Sequence, residues 1–242
     1  MKTALITGSS CGIGAATAKI LSDSCDCLVL ISRHRDGLLA KTADDIRACN
    51  SCECLTFSGD VSDYDFVEQT ISTLEADGHA IEAVINNAGI SMVGLFQDMS
   101  PADFQTILST NVTSVFNTCH AVIPHMIKRQ SGRIINVSSV WGLAGASCEV
   151  AYSATKGAVN SFTKALAKEL APSHIAVNAI AFGAVDTVMN SHLSKEEKAM
   201  LVDEIPAGKM ATPEEAAICI KNILGMPAYL TGEIIKFDGA WI

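Results

Sequence analysis

Short, mostly apolar runs alternate with longer amphipathic segments along the whole chain, and this alternation constrains the fold more than any single residue. Lys2–Thr7, Cys27–Ser32, Glu53–Phe57, Glu82–Asn86, Arg133–Ser138, Ile175–Ala181 and Glu233–Phe237 read as strands. Between them lie segments of helical period: Ile13–Ser22, Leu38–Ala48, Tyr64–Glu75, Pro101–Ile127, Ala151–Leu170, Lys195–Glu204 and Pro213–Leu224. Pro124 is expected to end or kink the fourth of these. Strands that are apolar without interruption suit a parallel sheet covered on both faces. Regular strand–helix alternation with no repeat and no low-complexity linker predicts one domain over residues 1–242. The expected fold is α/β, a doubly wound, Rossmann-type parallel sheet of seven strands with helices on both faces. Ligands in such sheets bind beyond the carboxyl ends of the strands, so the residues just after each strand are where chemistry is sought.

The first strand runs into Thr7-Gly8-Ser9-Ser10-Cys11-Gly12-Ile13-Gly14. Gly8 permits a tight exit from the strand, Gly12 lets backbone approach a pyrophosphate, and Gly14 lets the helix pack against the sheet. The helix N-terminus then offers N–H groups and a positive dipole end to the phosphates. The second strand ends at Ser32-Arg33, where an NAD site places an acid for the ribose 2′-hydroxyl and an NADP site an arginine for the 2′-phosphate. The acid is absent, and His34 and Arg35 add positive charge, which favours NADP(H). Asp60-Val61 follows the third strand, and Asn86-Asn87-Ala88-Gly89 stands at the exit of the fourth.

Tyr152 and Lys156 lie four apart on a helical segment and share a face. A nearby ammonium is expected to lower a tyrosine pKa from about 10 towards a useful range. Ser139, just past the fifth strand, can hydrogen-bond a carbonyl oxygen beside the Tyr152 hydroxyl. Asn111 is a poor helix former within a helical stretch, and its amide is a candidate holder of a relay water.

Taken together, these motifs resemble the short-chain dehydrogenase/reductase superfamily. Thr7–Gly14 matches its T-G-x3-G-x-G, Asn86–Gly89 its N-N-A-G, and Ser139, Tyr152 and Lys156 its S…Y-x3-K, with Asn111 at the fourth catalytic position. The resemblance implies that Tyr152 donates the proton, Ser139 polarises the carbonyl, Lys156 tunes Tyr152 and binds the nicotinamide ribose, and Asn111 holds a water. It places Gly8, Ser9, Ser10, Cys11, Gly12, Ile13, Gly14, Ser32 and Arg33 on the cofactor. It adds Asp60, Val61, Asn87, Ala88, Gly89, Gly183, Val185 and Thr187 to that set. Departures are Phe182-Gly183 for the family's proline-glycine, Gly239-Ala240 for a glycine pair, and Cys11 where a basic residue is common.

Two substrates are implied by resemblance. The chain as a whole resembles 3-oxoacyl-[acyl-carrier-protein] reductases of fatty acid synthesis. Lys128-Arg129 matches one of their carrier-docking arginines, while Ser173 stands in place of the second. The stretch Trp141–Glu149 and the closing Asp238–Ile242 resemble the branch that reduces a 5-aminopentanone group on elongation factor P. In that reading Glu149 meets the substrate amine, and Trp141 and Cys148 line the pocket with Ser139 and Tyr152. A non-enzymatic alternative is an NADP-binding sensor without turnover.

The remaining composition narrows the partners. Only 17 basic residues face 26 acids, for a net charge of −9, so nucleic acid is not an expected partner. No signal-peptide pattern opens the chain, and no apolar run reaches the ~18 residues of a membrane span. A soluble cytoplasmic enzyme is expected, with family members implying a homotetramer built through the two long helices and the last strand. The nine cysteines include close groups at Cys25, Cys27 and at Cys49, Cys52, Cys54. Their positions at strand starts, where alternate side chains point to opposite faces, predict reduced, mostly buried thiols and no metal.

Overall fold

A computed structural model describes residues 2–33, 36–49, 51–191 and 193–242. The strands are β1 (Thr3–Thr7), β2 (Cys27–Ser32), β3 (Glu53–Ser58), β4 (Ile81–Asn86), β5 (Gly132–Ser139), β6 (Ile175–Phe182) and β7 (Ile234–Phe237). They form one sheet in the order β3-β2-β1-β4-β5-β6-β7, and every pairing is parallel. The order reverses between β1 and β4, so the exits of those two strands open a crevice at the switch point.

The helices are α1 (Gly12–Leu21), α2 (Asp36–Cys49), α3 (Tyr64–Ala76), α4 (Pro101–Leu108), α5 (Ser114–Arg129), the short α6 (Trp141–Ala144), α7 (Val150–Leu170), α8 (Lys195–Glu204) and α9 (Pro213–Leu224). Continuous apolar strands are explained by two cores, one per face. Ala4 and Ile6 pack with α1, α2 and α9 through Leu21, Ile46 and Ile220. Leu5, between them, points the other way and packs with α3, α5 and α7 through Ile71, Val122 and Val159. The same period of two splits Leu28 and Leu30 from Val29 and Ile31. Burying each such side chain stabilises the fold by about 1.5–3 kcal/mol before chain entropy is set against it.

Two expectations need correcting. The long helical stretch is two helices joined by a π-helical turn over Ser109–Thr113. Pro124 does not end α5, which runs through it to Arg129. The proline removes one backbone donor, and the carbonyl it would have served belongs to the exposed His120. Among the described residues no helix is long and apolar enough to cross a membrane.

Candidate active site

The glycine turn between β1 and α1 is held from the side by the exit of β4. Asn87 Nδ2 donates to the carbonyls of Thr7 (3.0 Å) and Gly8 (3.1 Å). The Asn87 and Ala88 N–H groups donate to Thr7 Oγ1, each at 3.0 Å. Gly8 adopts φ +67°, a conformation costly for any residue with a Cβ. Gly14 serves packing instead: a Cβ there would stand 2.3 Å from the Gly8 carbonyl oxygen. Asn87 is thus a clamp on the turn, a role beyond the ribose contact that the resemblance implies.

This cradle fits a dinucleotide. A Cβ at Gly12 would stand 3.3 Å from Thr187 Cγ2, so a side chain would fill the passage between the start of α1 and Thr187. Unlike α3, α4, α8 and α9, α1 carries no acidic residue in its first turn, which leaves its positive end open to an anion. Thr187 and Val185, far away in sequence, arrive on the loop after β6. Val185 bridges to Ala211, and its carbonyl accepts from Asn190 Nδ2 at 2.8 Å.

At the exit of β2 Ser32 Oγ donates to Ser10 Oγ at 3.0 Å. Arg33 pairs with Asp60 at 2.9 Å, both about one-third exposed. Burial works against the Asp60 charge, yet hydrogen bonds from Ser62 and Arg33 hold its carboxyl below the usual range. Val61 is buried, with its carbonyl taken by Asn117 Nδ2 at 3.0 Å. The positive charges expected at His34 and Arg35 lie outside the described residues.

Tyr152 and Lys156 come from the first two turns of α7, Ser139 from the last residue of β5, and Asn111 from the π-helical turn. Lys156 is 4% exposed; its Nζ donates to the Val137 carbonyl at 2.8 Å and lies 5.6 Å from the Tyr152 ring centre. A Cβ on Gly89 would meet Asn111 Oδ1 at 3.3 Å and Lys156 Nζ at 3.5 Å, so these three residues converge. The Asn111 amide clamps Ile90, accepting from its N–H (2.8 Å) and donating to its carbonyl (2.9 Å) and to Thr155 Oγ1 (3.1 Å). Its side chain therefore shapes the strand exit.

Burial is the largest influence on the pKa values of both Tyr152 and Lys156. Burial pushes the Tyr152 hydroxyl up to about 12; a hydrogen bond with Ser139 pulls it down, and the Glu149 charge raises it further. Burial alone pushes Lys156 down to about 8.

The segment from Trp141 to Glu149 lies beside Ser139 and Tyr152. The Trp141 N–H donates to Ser139 Oγ at 3.2 Å. Glu149 accepts from Ser91 Oγ at 2.5 Å, and the Cys148 carbonyl accepts from the Gly94 N–H at 2.8 Å. Phe182, standing at the family's proline position, is buried with its ring edge-on to Phe237 at 5.7 Å. Gly183 keeps the close approach, since a Cβ there would lie 2.9 Å from Asp238 Cα.

Sequence reasoning missed a buried polar chain beneath this site. Thr118 Oγ1 donates to Asn86 Oδ1 (2.6 Å), Asn86 Nδ2 to Asn136 Oδ1 (2.9 Å), and Asn136 Nδ2 to Thr163 Oγ1 (2.8 Å). It ties α5, β4, β5 and α7 together. Asn136, set between apolar Ile135 and Val137 in β5, was its signal. Trp241 was missed as a neighbour of Trp141; the rings meet edge-on at 4.8 Å.

The cysteine groups lie at the opposite end of the sheet. Cys25, Cys52 and Cys54 join one core and Cys27 the other. The ligand atoms of Cys27, Glu53 and His79 fall within 4.8 Å of one another. Burial, with the Glu53 carboxylate adding to it, pushes the Cys27 thiol up to about 12, so it is a protonated donor to Glu53 rather than a ready thiolate.

The short chain dehydrogenase family matches over residues 2–198. The chain is 39% identical over 241 residues to the uncharacterized oxidoreductase YmfI of Bacillus subtilis (strain 168), covering 99% of this chain and 98% of that protein. It is 35% identical over 239 residues to the 3-oxoacyl-[acyl-carrier-protein] reductase FabG of Chlamydia muridarum, covering 98% and 96%. The crystal structure of 3-oxoacyl-[acyl-carrier protein] reductase from Brucella melitensis superposes with a TM-score of 0.92 at 30% identity, over 100% of this chain and 91% of that one.

Proposed function

The chain belongs to the short-chain dehydrogenase family and is an oxidoreductase, and from that premise we propose that it is an NADPH-dependent reductase of the 3-oxoacyl-[acyl-carrier-protein] reductase type. In this reading it turns a ketone into a secondary alcohol with Tyr152 as proton donor. The observation that carries it is the convergence of Gly89, Asn111 and Lys156 beside Tyr152 and Ser139, at the same strand ends as the glycine turn.

NADPH, when bound along the glycine turn, supplies the hydride. Arg33 is the group for its 2′-phosphate, exchanging Asp60 for the stronger anion. Lys156, held by the Val137 carbonyl, is the residue that would hold the nicotinamide ribose. Ser139 orients the substrate carbonyl oxygen towards the Tyr152 hydroxyl. A phenol raised to about 12 stays protonated at neutral pH, which suits an acid giving a proton to a developing alkoxide. The sensor alternative leaves a buried lysine and a half-buried tyrosine side by side without a purpose.

A second reading concerns the substrate. Glu149 lies close enough to Tyr152 to raise its pKa, a setting that suits a ketone carrying a protonated amine, such as 5-aminopentanone on elongation factor P. Arg129, the carrier-docking position, is engaged by Glu75 (2.6 Å) and by the Ile81 carbonyl (2.7 Å), which weakens docking of an acidic carrier. Purified protein with NADPH and acetoacetyl-CoA tests the first reading by loss of absorbance at the reduced nicotinamide band. Turnover only on modified elongation factor P transfers the assignment to the second. Tyr152→Phe is expected to lower turnover by at least about 100-fold in either assay; near-wild-type turnover removes Tyr152 from the mechanism.

A further inference from the structure

The closing turn Asp238–Ile242 touches two separate segments, Trp141 beside Ser139 and the stretch just beyond α8. The Asp238 side chain, 7% exposed, accepts from the N–H groups of Ala240 (3.1 Å) and Ile242 (3.0 Å). The backbone is thereby wrapped around the carboxylate, with Gly239 at φ +66° and Ala240 at φ +67°. A left-handed alanine is rare, and here the two Asp238 bonds hold it. The wrap sets the Trp241 ring edge-on to Trp141, with centres 4.8 Å apart and planes at 62°. Trp141 in turn donates its N–H to Ser139 Oγ. On the other side the Gly239 carbonyl accepts from the Ala207 N–H at 3.1 Å. A Cβ on Gly239 would stand 2.9 Å from both Ile205 and Ala207, just beyond α8. The sheet does not need these contacts, since β7 ends at Phe237.

We propose that Trp241 is a positioning residue for the carbonyl-binding corner: its ring packs on the Trp141 ring and so holds that residue in place, and the Trp141 backbone N–H fixes the Ser139 hydroxyl. Trp241 does not itself reach the reacting atoms. A serine hydroxyl turns freely unless a neighbour takes one of its acceptor sites. With the Trp141 N–H on one lone pair, the remaining directions serve Tyr152 and the substrate oxygen. Such preorganisation counts in the transition state more than in binding, because the charge it meets develops only there. The Gly239 contact links the same corner to the end of α8, so one turn joins the carbonyl site to the segment that follows Val185 and Thr187. This inference rests on the reductase reading of Ser139.

The test compares wild type, Trp241→Ala and Trp241→Phe in steady-state reduction of acetoacetyl-CoA, with NADPH affinity read by fluorescence titration. Trp241→Ala is expected to lower kcat by about tenfold while NADPH affinity stays within about twofold, and Trp241→Phe to recover most of the loss. A role in general stability would move NADPH affinity together with turnover and would not be rescued by Phe. Wild-type kcat in Trp241→Ala overturns the proposal. Amide hydrogen exchange supplies a readout free of turnover. Faster exchange at Trp141 and Ala207 in Trp241→Ala supports the coupling, and unchanged exchange overturns it. If the wild type reduces no ketone, the reductase reading falls, and exchange alone decides whether the coupling of the turn to Trp141 stands.

Discussion

Lys156 is buried as an ammonium that donates to the Val137 carbonyl. Its folded pKa is pushed down to about 8 by burial, against about 10.4 in an unfolded chain. Between these values the unfolded state binds the extra proton, so this residue makes stability rise as pH rises from about 8 to 10.4. Below that window the full cost of burying the charge is present. Tyr152 acts in the opposite sense at higher pH: folded it keeps its proton to about 12, unfolded it loses it near 10, and stability falls across that interval. The buried thiols Cys25, Cys27, Cys52 and Cys119, all raised by burial, also pull stability down in alkali. The Lys156 effect is therefore read as a difference. Urea unfolding of wild type and Lys156→Met at pH 7.5 and pH 10 is expected to show the variant gaining at the lower pH, by up to about 3 kcal/mol. Equal differences at both values would show that the ammonium is not desolvated. Arg33 offers a second residue-scale prediction. Its pairing with Asp60 must yield to a 2′-phosphate, so Arg33→Ala is expected to weaken NADPH binding by about 10–100-fold and to leave NADH binding nearly unchanged. Calorimetric titration with the two nucleotides decides this. The arginine was legible in the sequence. Its resident partner was not, because Asp60 belongs to the neighbouring strand's exit.

At the scale of elements, the helix N-termini and strands were readable from local pattern, whereas the π-helical turn was not. Its cause is distant. Asn111 turns its amide onto both backbone groups of Ile90, and the helix opens at Ser109–Thr113 to allow this. Nothing in the local sequence names Ile90 as the partner; Asn111 among Thr110, Val112 and Thr113 only marks a weak helix. Asn111→Ala leaves the Ile90 N–H and carbonyl without that partner. The expected cost is about 1–3 kcal/mol in thermal or urea unfolding, with lower turnover because Gly89 and Lys156 border the same amide. Unchanged stability would mean that water replaces the amide at no cost. The glycine turn behaves differently: its spacing named Gly14 as a packing position, and the Gly8 carbonyl oxygen, 2.3 Å from where a Cβ would stand, explains why. Gly14→Ala must push α1 away from β1. It is expected to lose about 1–3 kcal/mol of stability and to bind NADPH more weakly than an exposed helix Gly→Ala change does.

For the whole molecule, strand–helix alternation was sufficient to read the doubly wound sheet, because each apolar strand had two faces to bury and only helices on both sides supply that. Association with further copies is the property that alternation cannot address. The resemblance implies a homotetramer built through the long helices, and the outer surface of α4 and α5 gives that expectation a physical basis. Phe104, Phe116 and Ile127 are 39%, 49% and 40% exposed. Phe116 stacks on His120 at 5.3 Å, and Tyr64 meets the same imidazole edge-on at 5.4 Å, forming an aromatic row on the surface. Scattered apolar side chains are ordinary on a monomer, but an aromatic cluster shared by α3 and α5 is the composition of an interface centre. A charge placed there is costly only if the row is covered. Phe116→Asp is accordingly expected to leave the monomer fold intact by circular dichroism, since the side chain takes no part in either core. It is expected to lower the mass found by light scattering from a tetramer to dimers or monomers. A wild-type chain that elutes as a monomer, or a variant that keeps the wild-type mass, removes α5 from the assembly and leaves the aromatic row as exposed surface.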